Sequence, residues 1–149
     1  MEIKTISRSG INFLALQEGI CLKPYKDTSG IWTIGIGCTY YEDGTRVKKG
    51  DPPILYARAI SLFRTVLPHY ELTVWSTTRD DLKQVQFDAL VSCCFNIGVT
   101  AFRESTLLKT LNKNPYNPAI KECFAMFRNS GGKPILLARR KREAQLYFS

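Results

Sequence analysis

Two carboxylic acids and a hydroxyl occur together near the start of the chain. They are Glu18, Asp27 and Thr33, within the segment from Gln17 to Thr39. Glycoside hydrolysis needs one protonated carboxylic acid to donate to the leaving oxygen, and a second polar group to stabilise the cationic centre or direct water. Glu18 fits the first role, provided that apolar surroundings disfavour its charged form more than nearby cations favour it. Such acids are also common on solvated surfaces, so the spacing alone only permits this chemistry.

The elements around these residues are predicted to hold them on one wall of a cleft. Ser7 or Ser9 can cap a first helix, which Gly19 ends directly after Glu18. The apolar positions of this helix at near-helical spacing are Ile11, Leu14 and Leu16. From about residue 25 to 47 strand-forming residues alternate with glycines, which predicts a β-hairpin or a three-stranded ribbon. We expect the turn at residues 22–25 to bring the chain back.

The rest of the chain has helical patterns. Residues 51–53 resemble a helix start, and the apolar residues that follow continue this helix up to Pro68. A further helix is predicted over residues 82–97 and ends at Gly98. Three more helices are predicted after it: one begins at Ser105 or Thr106, one runs from Pro118 toward Phe127, and the last covers about residues 136–147. The C-terminal two-thirds is therefore predicted to be a helical bundle.

The residue types around the three candidate residues are more specific for a protein family than the spacing of the three residues. The pattern E-G-x-x-L-x-x-Y-x-D-x-x-G-x-x-T-x-G-x-G is formed by Glu18, Gly19, Leu22, Tyr25, Asp27, Gly30, Thr33, Gly35 and Gly37. It closely resembles the phage-type lysozymes (endolysins, glycoside hydrolase family 24). The likeness continues from Gln86 to Thr106 and in the basic segment ARRKREAQLYF near the end. It covers most of the chain, with residues 53–79 the least diagnostic.

The resemblance implies an α+β, mainly α fold, in which a long helix joins a small β-hairpin lobe to a helical lobe, with the active-site cleft between them. We expect one domain over residues 1–149, with a β lobe at about 20–51 and a helical lobe at about 68–149 plus the N-terminal helix. It also implies hydrolysis of the β-1,4 bond between N-acetylmuramic acid and N-acetylglucosamine in peptidoglycan. Glu18 would be the general acid, and Asp27 and Thr33 would hold the water in an inverting reaction.

Four further residues match positions of the family's site. Asn96, Phe102 and Ser105 lie in segments similar to those that line the cleft, which makes them candidates for sugar contacts. Phe102 is equally compatible with the core and Ser105 with a helix cap. Arg139 matches a position whose guanidinium reaches the catalytic Glu and orients it. One departure is Cys38, which stands where many relatives have His.

Composition and charge restrict the partners. The excess of 21 Lys and Arg over 13 Asp and Glu favours polyanions such as bacterial cell wall, nucleic acid or anionic lipid. No zinc-finger spacing, phosphate loop or RNA-binding aromatic motif supports nucleic acid as the partner. With five cysteines, no CxxC pair and one histidine, we expect buried thiols, no metal and no cofactor.

The chain has neither a long apolar run nor a visible signal peptide. We therefore expect no stable membrane insertion. The resemblance further implies a protein made in the cytoplasm that acts on the wall after release, and we expect it to be a monomer. Two alternatives to a hydrolase remain open at this point. One is a lytic transglycosylase, which uses one Glu on a similar scaffold, and the other is a non-catalytic wall-binding module of the same fold.

Overall fold

Most of the chain is helical, and its strands are confined to one small antiparallel sheet. The computed structural model describes residues 2–149, and within them it has eight helices and two strands. The helices are α1 (Arg8–Glu18), α2 (Tyr56–Val66), α3 (Pro68–Thr77), α4 (Gln84–Ile97), α5 (Val99–Arg103), α6 (Thr106–Lys113), α7 (Ile120–Ala125) and α8 (Leu137–Tyr147). The strands are β1 (Cys21–Lys26) and β2 (Trp32–Gly35). This content confirms the predicted mainly helical α+β class.

The described residues form two compact units. We call Ile11–Pro68 the β unit, and the residues up to Gly10 together with His69–Ser149 the helical unit. No helix among residues 2–149 has the length and apolar character needed to cross a membrane.

Helix α1 begins and ends as predicted. The Ser7 hydroxyl accepts a hydrogen bond from the Gly10 N–H at 3.0 Å, which caps the first turn. At the other end Gly19 has a φ of +82°, and its N–H donates to Ala15 O at 2.9 Å. Ile11 and Leu14 are buried as expected, but Leu16 is 78% exposed and that prediction is wrong. Ala15 occupies the buried position instead, since it is one residue from Leu14 and four from Ile11.

The chain reverses later than the sequence suggested. Residues 22–25, predicted as a turn, belong to β1, and the reversal occurs over residues 27–30. The pairing of Tyr25 with Thr33 and of Cys21 with Gly35 shows an irregular register between the two pairs. Pro24 lies in this interval and has no N–H for the ladder, which gives a physical reason for the irregularity.

The β-hairpin is confirmed, but the possible third strand is reduced to single bridges. Ile34 bridges Cys38, and Tyr40 bridges Arg46. A buried apolar cluster closes the β unit, formed by Ile34, Cys38, Val47, Ile54, Ala59 and Leu62. Gly35 permits close packing of β2 on α2, because a Cβ at this position would lie 3.4 Å from Ala59 Cβ.

The segment between the sheet and α4 contains two helices. Residues 51–55 are not helical, and α2 begins only at Tyr56. The residue before a proline is disfavoured in the helical conformation, which accounts for Asp51 and Pro52. Pro68, predicted only as a stop, is the first residue of α3, a helix that the sequence analysis missed. The threonines of α3 have low helix propensity, and Thr73 and Thr77 donate their hydroxyls to carbonyls one turn earlier.

The helical unit is organised around the buried helix α4. This helix ends at Gly98 as predicted, where φ is +92° and the N–H donates to Cys94 O. Helix α8 packs against both α4 and α7. Tyr147 fixes the end of α8, because its hydroxyl donates to Pro115 O at 2.8 Å and its ring is 1% exposed.

Candidate active site

Glu18 is the last residue of α1, and its side chain is half-buried. The positive φ of Gly19 turns the chain out of the helix directly into β1. Within three residues of the acid the backbone is therefore already extended, at Cys21. The helix end and the first strand fix the backbone on both sides of Glu18.

Asp27 organises the turn that follows β1. Its Oδ1 accepts hydrogen bonds from the N–H groups of Ser29, at 2.8 Å, and Ile31, at 2.9 Å. Gly30 completes the turn with a φ of +78°. Such side-chain to backbone bonds are the usual reason for Asp at a turn. Within residues 2–149 no hydrogen bond engages the other oxygen, Oδ2, so this oxygen is available to a ligand or water.

Thr33 lies in β2 and is 2% exposed. Its hydroxyl donates to Ile31 O at 2.9 Å. Because a hydroxyl has one hydrogen and two lone pairs, Thr33 Oγ1 can then act only as an acceptor toward a further partner. The same short segment, from Asp27 to Thr33, therefore presents a carboxylate oxygen and a hydroxyl acceptor.

Tyr25 lies on β1, between the two candidate acids in sequence. It is the cross-strand partner of Thr33 and is half-buried. Burial raises the pKa of Tyr25, and the charges of nearby groups raise it further. These groups are, in decreasing order of effect, Cys21, Asp27, Cys38 and Glu18. Glu18, Tyr25 and Asp27 all belong to the β unit, and the charges of both acids raise the pKa of the phenol, that of Glu18 least.

Arg139 lies in α8 and is 6% exposed. Within the helical unit its Nε donates to Glu143 Oε2 at 3.2 Å, and its Nη2 donates to Ser92 O at 3.2 Å. The sequence analysis did not foresee that a buried carboxylate would be a partner of this guanidinium. The orienting role of Arg139 toward the acid stays a prediction.

The three candidate sugar contacts have different surroundings. Asn96 is half-buried, and its Oδ1 accepts a hydrogen bond from Arg140 Nη2 at 2.9 Å. Phe102 is 0% exposed, which favours a packing role. Ser105 is the N-cap of α6, because its hydroxyl accepts from Leu108 N and donates to Phe102 O. Contact of these three residues with sugar stays a prediction, and the burial of Phe102 and Ser105 favours Asn96 among them.

Sequence reasoning missed two residues that are partners of candidate residues, Tyr25 of Thr33 and Glu143 of Arg139. Tyr25 was noted only as part of the family pattern, although its place opposite Thr33 follows once the hairpin register is known. Glu143 was read only as part of a basic helix, and its signal was its spacing of three and four residues from Arg140 and Arg139. In the described part of the chain no three His, Cys, Asp or Glu side chains form a cluster that could hold a metal ion.

Comparison with known proteins identifies the family. The phage lysozyme family model matches residues 15–143. The endolysin of Salmonella phage P22 is 41% identical over 145 residues, which cover 97% of this chain and 98% of that protein. The crystal structure of a P22 lysozyme mutant has a TM-score of 0.91 and 40% identity, and covers 99% of this chain and 100% of that one.

A second solved structure agrees with the first. The endolysin from Escherichia coli O157:H7 phage FAHEc1 has a TM-score of 0.87 at 29% identity, and covers 100% of this chain and 97% of that one. The chain belongs to the phage lysozyme family. It is accordingly a glycoside hydrolase of the lysozyme type, and the predicted family, fold class and enzyme class are confirmed.

Proposed function

We propose that this protein hydrolyses peptidoglycan at the β-1,4 bond between N-acetylmuramic acid and N-acetylglucosamine. Glu18 is the general acid, and Asp27 and Thr33 hold the attacking water. The observation that supports these roles best is the hydrogen bonding of the turn, in which two backbone N–H groups fix the Asp27 carboxylate and the Thr33 hydroxyl donates to Ile31 O. An acid and a second carboxylate are the groups that such hydrolysis requires, and the Thr33 hydroxyl acceptor gives the water a second contact.

The hydrogen bonds of the turn support a water-holding role for two residues. Asp27 Oδ1 is engaged by two backbone N–H groups, which fixes the carboxylate and leaves Oδ2 for a water molecule. Thr33 donates its hydroxyl hydrogen to Ile31 O, so its oxygen accepts from the same water. A water that donates one hydrogen to Asp27 Oδ2 and the other to Thr33 Oγ1 directs its lone pair away from these two oxygens. That lone pair is the nucleophile.

The reaction proceeds in one displacement. The Glu18 carboxyl gives its proton to the glycosidic oxygen as the bond to the anomeric carbon breaks. The water oxygen bonds to that carbon from the opposite face, and its proton passes to Asp27. The configuration at the anomeric carbon is therefore inverted. Exchange of protons with solvent returns Glu18 to the acid form and Asp27 to the carboxylate.

Two residues of the helical unit are also proposed to take part, Arg139 and Asn96. The resemblance to the family gives Arg139 the role of orienting the catalytic acid. Of the candidate sugar contacts we favour Asn96, because its side chain is half-buried while Phe102 and Ser105 are buried. The excess of eight positive charges suits a polyanionic wall. We further propose that the protein acts as a monomer and reaches the wall after release from the cytoplasm.

Product analysis tests the proposed reaction against its two alternatives. Purified peptidoglycan is digested and the soluble fragments are analysed by mass spectrometry, with the anomeric configuration of the first products followed by NMR. Hydrolysis with inversion predicts reducing ends that initially have the α configuration. Anhydro ends, lighter by one water, would instead identify a lytic transglycosylase. Binding to the wall without release of fragments would identify a non-catalytic module.

A further inference from the structure

A buried ion-pair network lies between α4 and α8 of the helical unit. Glu143 Oε2 accepts from Arg139 Nε at 3.2 Å and also from the Ser92 hydroxyl. Its other oxygen, Oε1, lies 2.7 Å from Arg140 Nε. Arg140 Nη2 donates in turn to Asn96 at 2.9 Å. One carboxylate therefore serves two guanidiniums, one on each oxygen.

These groups are almost fully withdrawn from solvent. Glu143 and Arg140 are 0% exposed and Ser92 is 0% exposed, while Arg139 is 6% exposed. Burial raises the pKa of Glu143, and the opposing effects come from Arg140, the Ser92 hydroxyl and Arg139. Desolvation of charged groups is expensive, and a buried ion pair is often no more stabilising than apolar side chains of the same size. Stability alone is therefore a poor reason for this network.

The helical spacing explains how the network orients its members. Glu143 is four residues after Arg139 and three after Arg140, so both guanidiniums reach it from the same face of α8. Arg139 is also bound to Ser92 O on α4. Bonds at both Nε and Nη2 leave the planar guanidinium little freedom to rotate, because its donors have a fixed geometry.

We propose that Glu143 is a positioning residue that sets the orientation of Arg139. This inference rests on the proposed function, in which Arg139 orients the catalytic acid. Glu143 itself contacts neither substrate nor the reacting atoms in this scheme. It acts on turnover by holding the guanidinium in one orientation, with Ser92 supporting the carboxylate from α4.

The first test replaces the carboxylate with an amide of the same shape. Glu143→Gln removes the charge that Arg139 and Arg140 share, while its amide oxygen can still accept one hydrogen bond. Assays on soluble peptidoglycan fragments should show a kcat reduced about tenfold or more with a much smaller change in KM, since misplacement of a catalytic group affects turnover. Glu71→Gln is the matched control, because Glu71 is another buried carboxylate of the helical unit, bonded to the Ile6 N–H. The control should keep the wild-type kcat.

A double-mutant cycle separates positioning from general destabilisation. If Glu143 acts through Arg139, Glu143→Gln should lower kcat much less in an Arg139→Ala background than in the wild-type chain. Thermal unfolding of each variant shows whether the fold is kept. Equal reductions in both backgrounds would overturn the inference, and so would a wild-type kcat for folded Glu143→Gln.

Ser92→Ala provides a test that does not alter the ion pairs. It removes the hydroxyl that donates to Glu143 and that also accepts from Arg139 Nη2 at 3.5 Å. It should lower kcat by a smaller factor that also disappears in the Arg139→Ala background. An unchanged kcat for Ser92→Ala would overturn the inference if Glu143→Gln does not fold. Glu18→Gln distinguishes a failure of the proposed function from a failure of the positioning role of Glu143. If it abolishes turnover while the Glu143 and Ser92 variants do not affect kcat, the proposed function stands and the positioning role fails.

Discussion

Tyr25 of β1 lies directly opposite Thr33 of β2 in the antiparallel pairing. Residues paired in this way have their side chains on the same face of a sheet, with Cβ atoms about 4.5–5.5 Å apart. The hydroxyl of Thr33 also donates to Ile31 O across the start of the strand. The hydrogen bond uses the only hydroxyl hydrogen of Thr33, so its oxygen faces any further partner, such as water, as an acceptor.

Thr33→Val should therefore lower activity without unfolding the protein. Valine has the same shape as threonine but cannot accept a hydrogen bond from the water, and the loss of one such bond is expected to reduce kcat by about tenfold or more. Release of reducing ends from soluble peptidoglycan fragments measures the effect. Thr33→Ser keeps the hydroxyl and should retain most of the activity. Equal activity of the valine and serine variants would remove Thr33 from the mechanism.

Gly10→Ala should destabilise the protein strongly for so small a change. A Cβ at Gly10 would lie 2.5 Å from Asp88 Cγ and 2.7 Å from Ile6 Cγ1. Asp88 cannot move away at low cost, because it accepts from the Ser7 N–H and from Gln84. Overpacking of this kind costs about 1–3 kcal/mol of unfolding free energy.

Urea unfolding of Gly10→Ala measures this loss. Leu16→Ala is the control on the same helix, since Leu16 is 78% exposed and should change the unfolding free energy by less than about 0.5 kcal/mol. A stability of Gly10→Ala equal to that of the wild-type chain would show that α1 does not approach Asp88 as closely as described.

The cysteines should differ sharply in their reactivity toward a thiol reagent. Cys21 is half-buried, whereas the other four, Cys38, Cys93, Cys94 and Cys123, are buried. Burial also raises the pKa of Cys94 to about 12 and that of Cys93 well above its ordinary value, so little thiolate forms in either. We expect the native protein to show one rapidly reacting thiol, and Cys21→Ser to show none. Rapid reaction of two or more thiols in the folded protein would contradict this burial.

Stability should fall at alkaline pH in part through Tyr41. Burial and the hydrogen bond to Asp51 raise the pKa of Tyr41 from 10.0 to about 12. Because the folded state favours the protonated phenol, its contribution is complete below pH 10 and is lost as the pH rises through about 12.

Unfolding free energies measured in urea between pH 9 and about 12 test this sign. Tyr41→Phe has no phenol to ionise, so its stability should decline less with pH than that of the wild-type chain. A steeper decline for the variant would contradict the direction of the shift. Burial also raises the pKa of Tyr147, which leaves some alkaline dependence in both proteins.

Local signals predicted those parts of the fold whose cause is local. Gly19 and Gly98 each end a helix with a positive φ, and both were identified from their positions after an apolar segment. Ser105 or Thr106 was predicted to begin the next helix, and Ser105 is its N-cap. The turn at Asp27 was placed too early, because Pro24 resembled a turn residue although it lies inside β1. Only the register of the hairpin distinguishes these two uses of proline.

The sequence suggested the candidate residues of the site but not their supporting contacts. Glu18, Asp27 and Thr33 were suggested by a pattern of residue types within one short segment of the sequence. The hydrogen bonds of Glu143 to Ser92 and Arg139 join residues up to 51 positions apart. Pairing over such distances depends on how α8 packs on α4, and a single sequence gives no direct signal for it. The third helix was missed because Pro68 can either stop a helix or begin one.

The proton-donating role of Glu18 is tested most directly by Glu18→Gln. The amide keeps the shape of the side chain but cannot donate a carboxyl proton, and general-acid catalysis supplies about 10²–10⁴ in rate. The measurement is the initial rate of fragment release from purified peptidoglycan, with thermal unfolding as evidence of a retained fold. Glu42→Gln is the control in the same unit, because Glu42 is an exposed carboxylate that pairs with Arg58 on the surface. We predict that Glu18→Gln loses at least about 10² in rate while Glu42→Gln stays near the wild-type value. A folded Glu18→Gln protein that releases fragments at a near wild-type rate would contradict the account.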